Sequence, residues 1–266
     1  VLMKDEFERP LKIVVINGSY RKKGNTYHAV EEIKEQLLLI DQNIEFEHLF
    51  LTDYQIKYCT GCFTCFAKGE DKCPLKDDIS VISDKMKSAN GIIFASPIFA
   101  MGVTAIMKNF IDRLAYTMHR PCFFDSVFLG ITTIGGVMGA KQGREQVSAL
   151  AVGGRLAGKY TFTCPPISMR GIEKSREKAV KKSARKFYQL LIKKERKLPG
   201  FPDWAYFHSF KAMTQYEKYK TDCPADYNYY AEREDFFYPI KGHAARKLVG
   251  KMVKGLMSVG MRLMIK

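Results

Sequence analysis

The run Leu11-Lys12-Ile13-Val14-Val15-Ile16 passes directly into Asn17-Gly18-Ser19-Tyr20-Arg21-Lys22-Lys23-Gly24-Asn25-Thr26, and this stretch decides how the chain is read. Its first half is short, apolar and rich in β-branched residues, as in strands covered on both faces. Its second half is polar and holds two glycines, so the strand ends there. Beyond it, Val30, Ile33, Leu37 and Ile40 recur at helical spacing. A strand, a polar loop and an amphipathic helix in that order form the opening of a βαβ unit.

The same alternation repeats outward. Ile44 to Phe50 reads as a second strand, and Asp77 or Asp78 as an N-cap before Ile79, Ile82 and Met86. Gly91 to Ala95 is a third strand, stopped by Pro97, before a helix carrying Val103, Ile106, Met107, Phe110 and Leu114. Val127 to Ile134 is a fourth strand. A helix over Gln142 to Leu156, a strand at Tyr160 to Cys164 and a helix from Gly171 to Lys194 complete the series. Five strand–helix alternations with right-handed crossovers predict a three-layer α/β sandwich, with a five-stranded parallel sheet in the order 2-1-3-4-5. That order places a mononucleotide at the carboxyl ends of the strands. The expected organisation is a sheet domain over residues 1–197, with a cysteine-rich insertion at 59–73, and a helical, aromatic-rich extension over 198–266.

Composition narrows the function. The 266 residues are 46% hydrophobic and 27% charged, an ordinary globular mixture. The formal charge of +15 is unevenly spread, +3 over residues 1–170 and +12 over 171–266, so the sheet domain has no electrostatic reason to seek nucleic acid, and no nucleic-acid partner is expected. Asn90, Gly91, Ser96 and Pro97 interrupt the longest uncharged stretch, and no transmembrane span is expected. No basic segment precedes an apolar one at the start, so a cytoplasmic location is expected and the seven cysteines are not read as a disulfide framework.

The loop after the first strand has the makings of an anion site. Hydroxyls of Ser19 and Thr26, the Asn25 amide and the Arg21 guanidinium stand beside a helix N-terminus, whose free N–H groups and dipole favour negative charge. The spacing departs from the G-x4-G-K-[ST] loop of nucleoside triphosphatases, Asn25 stands where a lysine would reach outer phosphates, and no G-x-G-x-x-G is present. A site gripping one terminal phosphate remains. Ser96-Pro97-Ile98-Phe99-Ala100-Met101-Gly102 follows the third strand and Thr132-Thr133-Ile134-Gly135-Gly136 ends the fourth, both where the switch-point rule places a ligand. Proline and glycine let the backbone come close to a flat heterocycle, and Phe99 and Met101 offer apolar surface to its face.

Taken together, GS-x-R-x-x-GNT, SP-x-F, KNFIDR and TTxGG, in that order, resemble the NAD(P)H-dependent FMN reductase family, over about residues 10–195. The resemblance implies a flavodoxin-like fold and an FMN oxidoreductase using NAD(P)H as co-substrate. It implies that Ser19, Arg21, Asn25 and Thr26 hold the FMN phosphate, and that Pro97, Ile98, Phe99, Met101, Gly102, Gly135 and Gly136 frame the isoalloxazine. Phe99 departs from the tyrosine common in the family, which removes one hydroxyl. No side chain is given a catalytic role, because the flavin itself accepts the hydride. His119 is read as structural.

Cys59-x2-Cys62-x2-Cys65-x7-Cys73-Pro74 lies between the second strand and the next helix. Its first spacings and closing proline match the ferredoxin run C-x2-C-x2-C-x3-C-P, while the last gap is longer. Such closely spaced thiolates suit iron–sulfur chemistry better than zinc, and free or redox-active thiols are the alternative. The pattern resembles that of the iron-sulfur flavoproteins, a branch of the same family, which implies a [4Fe–4S] cluster on Cys59, Cys62, Cys65 and Cys73 exchanging single electrons with FMN. Cys122, Cys164 and Cys223 stand alone and are expected to be buried small hydrophobes.

The closing segment puts Leu248, Val249, Met252, Val253, Leu256 and Met264 on one helical arc, opposite Lys247, Lys251, Lys254 and Arg262. Packing of that arc against the aromatic extension is expected, and peripheral contact with an anionic membrane is the alternative. The reading overall is an FMN enzyme passing electrons between NAD(P)H or ferredoxin and a small-molecule or protein acceptor through the cluster, as a homodimer or homotetramer. Its rivals are a cluster-free FMN, quinone or nitro reductase, and a non-enzymatic electron carrier or thiol sensor.

Overall fold

A computed structural model describes residues 10–165, 170–193, 195–240 and 244–264, with backbone alone at 170, 244–247 and 261–264. Residues 1–9 of the expected first domain, Lys194 at the end of the expected helix, and the side chains of Lys247, Arg262 and Met264 lie outside that description.

The first strand forms as its composition dictates. β1 (Leu11–Asn17) is buried throughout apart from Lys12. Ile13 and Val15 join the core under α1 (Asn25–Ile40), while Val14 and Ile16 are fully buried on the other face. β2 (Ile44–Phe50) and β3 (Gly91–Phe99) pair with it in parallel, β5 (Val127–Ile134) pairs with β3 and β6 (Arg155–Thr163) with β5, also in parallel, giving the order β2-β1-β3-β5-β6. The long strands thus take the expected 2-1-3-4-5 arrangement. The sheet, however, has six strands, because β4 (Gly102–Val103) folds back antiparallel on the end of β3.

Helices cover both faces, which is why the strands read as continuous apolar runs. α1 and α7 (Arg170–Leu191) pack on one side, where Val30, Ile33, Leu37, Val180, Ala184 and Phe187 meet the odd-numbered β1 residues. On the other side, Phe94 of β3 stacks on Phe128 at 5.7 Å between ring centroids and also contacts Phe110 of α4 (Ala105–Arg113). α3 (Ile79–Lys87) and α6 (Ala140–Val147) buttress the sheet from Ile82, Met86 and Val147.

Three element boundaries lie well away from expectation. β3 does not stop at Pro97 but runs through it to Phe99, with Pro97 opposite Thr133 in the ladder. α6 ends at Val147 instead of near Leu156, and β6 begins at Arg155, five residues early. The cause is Gly153-Gly154: Gly153 takes φ +82°, and a Cβ on Gly154 would meet Phe128 at 2.3 Å, so the chain turns there against the sheet.

The chain divides into two units. One comprises residues 1–59, 77–114 and 123–196 and contains the sheet; the other comprises 60–76, 115–122 and 197–266. In the second unit lie α2 (Thr64–Ala67), α5 (Tyr116–His119), α8 (Phe201–Met213), α9 (Glu217–Asp222), α10 (Pro224–Ala231) and α11 (Ala244–Met264). Phe207 and Tyr230 are fully buried at its centre. The closing helix packs through only part of the expected arc: Val253 is buried, whereas Leu248, Val249, Met252 and Leu256 are exposed.

Candidate functional site

The loop after β1 is shaped from within. Asn17 is buried; its Oδ1 accepts from the Ser19 amide at 2.9 Å, and its amide nitrogen contacts His48 Nε2 at 3.0 Å. Ser19 Oγ accepts from the Arg21 amide and donates to the Arg21 carbonyl, each at 3.1 Å, which closes a tight turn. The chain then enters α1 at Gly24, where no side chain caps the helix, so the first amides face outward at its positive end. Gly18 permits the approach of α4: a Cβ there would meet Met107 Cβ at 2.7 Å, and Thr104 Oγ1 donates to the Gly18 carbonyl at 2.7 Å.

A cavity of about 80 Å³ opens at the carboxyl edge of the sheet, lined by Ser19, Arg21, Asn25 and Thr26 from this loop and by Pro97, Ile98 and Phe99 from β3. Gly135, after β5, also lines it. These eight of the sequence-singled residues are therefore brought together; Met101, Gly102 and Gly136 are not on the cavity wall. Met101 and Phe99 are about half exposed at the β3–β4 turn. Gly102 lies against Gln146 of α6, whose Oε1 accepts from the Val103 amide at 2.9 Å. The volume suits a phosphate group and falls far short of the ~300–1,000 Å³ typical of a whole small-molecule site. Any larger ligand must extend over the rim.

Three wall residues escaped the sequence reading. Thr133 Oγ1 hydrogen-bonds Thr26 Oγ1 at 2.7 Å, tying β5 to α1 beneath the cavity. Ile134 lies next to it, and both belonged to a motif already singled out for its glycines. Cys164 is the third. Its amide donates to the Ile134 carbonyl at 2.7 Å and Arg176 donates to its sulfur at 3.3 Å, while burial pushes its thiol up. No spacing signal marks Cys164; only its place at the end of β6 does.

The cysteine segment is fastened at its base by α4. Asn109 Oδ1 accepts from the Cys59 amide at 3.0 Å, and the Asn109 amide donates to the Ile56 and Lys57 carbonyls. One turn later, Arg113 forms a two-point ion pair with Asp77, whose side chain is 1% exposed, and donates to the Lys57 carbonyl at 2.8 Å. Burial alone would raise the Asp77 carboxyl, but Arg113 and the Lys57 and Ile79 amides outweigh it and hold it below its usual range. The motif KNFIDR thus carries a structural clamp at its asparagine and arginine.

Within the second unit, Arg120 donates to the Cys65 carbonyl at 2.6 Å, the Phe66 carbonyl at 3.1 Å and Glu70 at 2.9 Å, and pairs with buried Asp226. His119 Nδ1 contacts the same Asp226 at 2.8 Å, and its ring packs on Phe66, a structural role. Cys59 and Cys62 are exposed and Cys65 and Cys73 half-buried, and among the described residues no disulfide joins any of the seven cysteines. Among the described residues, no group of three His, Cys, Asp or Glu side chains is placed to hold a metal ion. The expected burial of the isolated cysteines is not found: Cys122 is exposed in the loop between α5 and β5, and Cys164 and Cys223 are half-buried at element ends, not in a packed face.

A family model described as NADPH-dependent FMN reductase matches residues 11–159, more than half of the chain. The chain belongs to the NADPH-dependent FMN reductase family. An iron-sulfur flavoprotein of Archaeoglobus fulgidus is 39% identical over 111 residues, covering 42% of this chain and 49% of that protein. An iron-sulfur flavoprotein of Methanocaldococcus jannaschii is 41% identical over 103 residues, 39% of this chain and 51% of that one. This family member therefore spans about half the length of these curated relatives. A solved flavone reductase superposes with a TM-score of 0.53 at 20% identity, covering 68% of this chain and 63% of its own, which shows the shared flavodoxin-like fold. No helix of the described residues is long and apolar enough to cross a membrane.

Proposed function

We propose that the chain binds FMN at the β1–α1 loop and oxidises NAD(P)H, passing electrons to a small-molecule or protein acceptor. The observation that carries this reading is the phosphate-sized cavity where Ser19, Arg21, Asn25 and Thr26 meet Pro97, Ile98, Phe99 and Gly135. Bound FMN would supply hydride acceptance and electron transfer. The protein's part is to hold and orient it. Arg21 and Asn25 donate to the phosphate beside the uncapped α1 N-terminus, and Thr26 is fixed by Thr133. The isoalloxazine is left for the rim at Pro97 to Gly102 and Gly135-Gly136, where Phe99 and Met101 present apolar surface. Val137 and Met138 are exposed beside that rim, since the Cβ position of Gly139 lies 2.8 Å from Met101 Cα. This apolar border supports a second copy of the chain covering the flavin.

The test compares FMN with riboflavin, which lacks the phosphate. Charge-assisted hydrogen bonds of about 1.5–3 kcal/mol each should make FMN bind about a hundredfold more tightly or better. Arg21→Ala should remove about tenfold of that preference and leave riboflavin affinity unchanged, read by flavin fluorescence quenching. Equal affinities for the two flavins would overturn the reading.

Cys59, Cys62, Cys65 and Cys73 are our proposed ligands for a [4Fe–4S] cluster. Their number, thiol chemistry and spacing support it, as do the names of the relatives; their present arrangement does not gather them. That arrangement favours the second reading, a cluster-free FMN reductase. Anaerobic purification decides: a brown protein with iron and sulfide near four per chain supports the cluster, and a yellow one with flavin alone supports the second reading.

A further inference from the structure

A cavity of about 820 Å³ lies wholly within the second unit. Its size is that of a small-molecule site. Trp204 and His208 of α8 form one wall, the segment 232–240 another, and α11 a third. Gly250 brings α11 in: a Cβ there would meet Trp204 ring carbons at 2.9–3.0 Å. Aromatic rings meet on these walls, with Trp204 stacked on His208 at 8° between ring planes and Phe236 packed on Trp204 at 4.6 Å.

The polar atoms of these walls stand out. Among the described residues, four buried side-chain nitrogens have no hydrogen-bond partner, and three of them belong to residues lining this one cavity: Trp204 Nε1, His208 Nδ1 and Arg233 Nε. Trp204 is 2% exposed and His208 3%. Orphaned buried nitrogens are rare in folded proteins because each forfeits its hydration. Their concentration on one cavity points to a ligand that satisfies them.

The chemistry of that ligand follows from the donors. An indole N–H and a guanidinium Nε–H can only donate, so the ligand presents acceptor oxygens. Burial, with Lys254 and Lys211 adding to it and Asp235 opposing, pushes the His208 imidazole down to about 4. The ring is thus neutral near neutral pH and adds no charge. Arg233, Lys251 and Lys254 are balanced on the lining by Glu232, Glu234 and Asp235, so the walls select neither an anion nor a cation. We propose that the cavity of the extension binds a neutral, flat aromatic molecule bearing a carbonyl oxygen, which accepts from Trp204 Nε1 while its rings lie among Trp204 and Phe236. The site stands apart from the flavin reading and does not depend on it.

Trp204 is the single tryptophan of the chain, so its indole N–H gives one proton–nitrogen resonance. The full chain is titrated with 1-tetralone and with tetralin, which has the same carbon skeleton and no carbonyl. Saturable binding of 1-tetralone should move the indole resonance downfield. Its affinity should exceed that of tetralin by about tenfold, the worth of one buried hydrogen bond. Trp204→Phe, which keeps an aromatic ring and loses the donor, should bring 1-tetralone to the tetralin level. Absence of a saturable shift, or equal affinity of the two compounds for the unaltered protein, overturns the proposal; that comparison holds even if the variant fails to fold.

Discussion

Cys62 and Cys164 lie at opposite ends of a range of thiol reactivity. Cys62 is exposed, and hydrogen bonds from the Thr64 hydroxyl and backbone lower its thiol, which lies 3.3 Å from Thr64 Oγ1. Burial raises the thiols of Cys164 and Cys223. Because the thiolate is the reacting species, iodoacetamide should modify Cys62 well before Cys164 or Cys223 in cluster-free protein near neutral pH, and Thr64→Val should slow Cys62 several-fold. Peptide mass spectrometry gives the order, and prior labelling of Cys164 would contradict it. At this scale the sequence announces which residue types matter but not what holds them. The cysteine spacing and the GNT loop are local patterns and could be read directly. Asn109 reaching Cys59, fifty positions away, leaves no trace in the neighbourhood of either residue.

The β3–β4 turn makes the same point for elements. Ile98 pairs with Val103 and Phe99 with Gly102, leaving Ala100 and Met101 as a two-residue turn with φ of 44° and 72°. Positive φ at both positions defines the turn in which Asn-Gly is preferred, and a side chain there costs about 1–2 kcal/mol per residue. The strain sits at the rim proposed to face the flavin. Met101→Gly should therefore raise the melting temperature by roughly 2–4 °C while weakening FMN binding; a variant that loses stability would remove the strain argument. No sequence rule expects Ala-Met in such a turn, and a proline two residues before Phe99 reads as a stop. Pro97 is nonetheless tolerated in β3, near the end of the ladder, where few amide donors are needed. The end of β5 was legible, by contrast, because its apolar run stops abruptly at Gly135-Gly136.

Across the whole molecule, the two units answer acid differently. In the sheet unit, Asp77 titrates below its unfolded value, so its contribution is complete above about pH 4 and is lost as pH falls through the lower folded value. Asp77→Ala leaves Arg113 buried without its partner and should cost about 3–5 kcal/mol, measured by denaturant unfolding. In the second unit, His208 is also depressed, to about 4 from 6.5. Its neutral form is the folded one, so stability is full above 6.5 and declines as pH falls toward about 4. The thermal transition seen in Trp204 emission should drop between those values, and His208→Phe should flatten the dependence; an unchanged slope in the variant would assign it elsewhere. Sheet order and the place of the β1–α1 loop could be foreseen because parallel α/β units obey few rules. The extension could not, since its aromatic core lacks periodicity and its packing rests on Gly250 and Trp204, far apart in the chain.

The excursion that carries Cys62, Cys65 and Cys73 leaves and rejoins the sheet unit through a single knot. Lys57 and Arg113 both donate to Asp77, while Gln55 and Asp78 exchange hydrogen bonds of 2.8 and 3.2 Å across its base. A loop closed by its own stem tolerates changes of length, at about 0.6 kcal/mol per doubling. Residues inserted between Cys65 and Cys73 should leave the sheet undisturbed, provided Phe66 and Glu70 keep their contacts with His119 and Arg120. The knot thus insulates the sheet from the excursion, whose sequence is free to drift across generations without any rebuilding of the machine into which it is plugged.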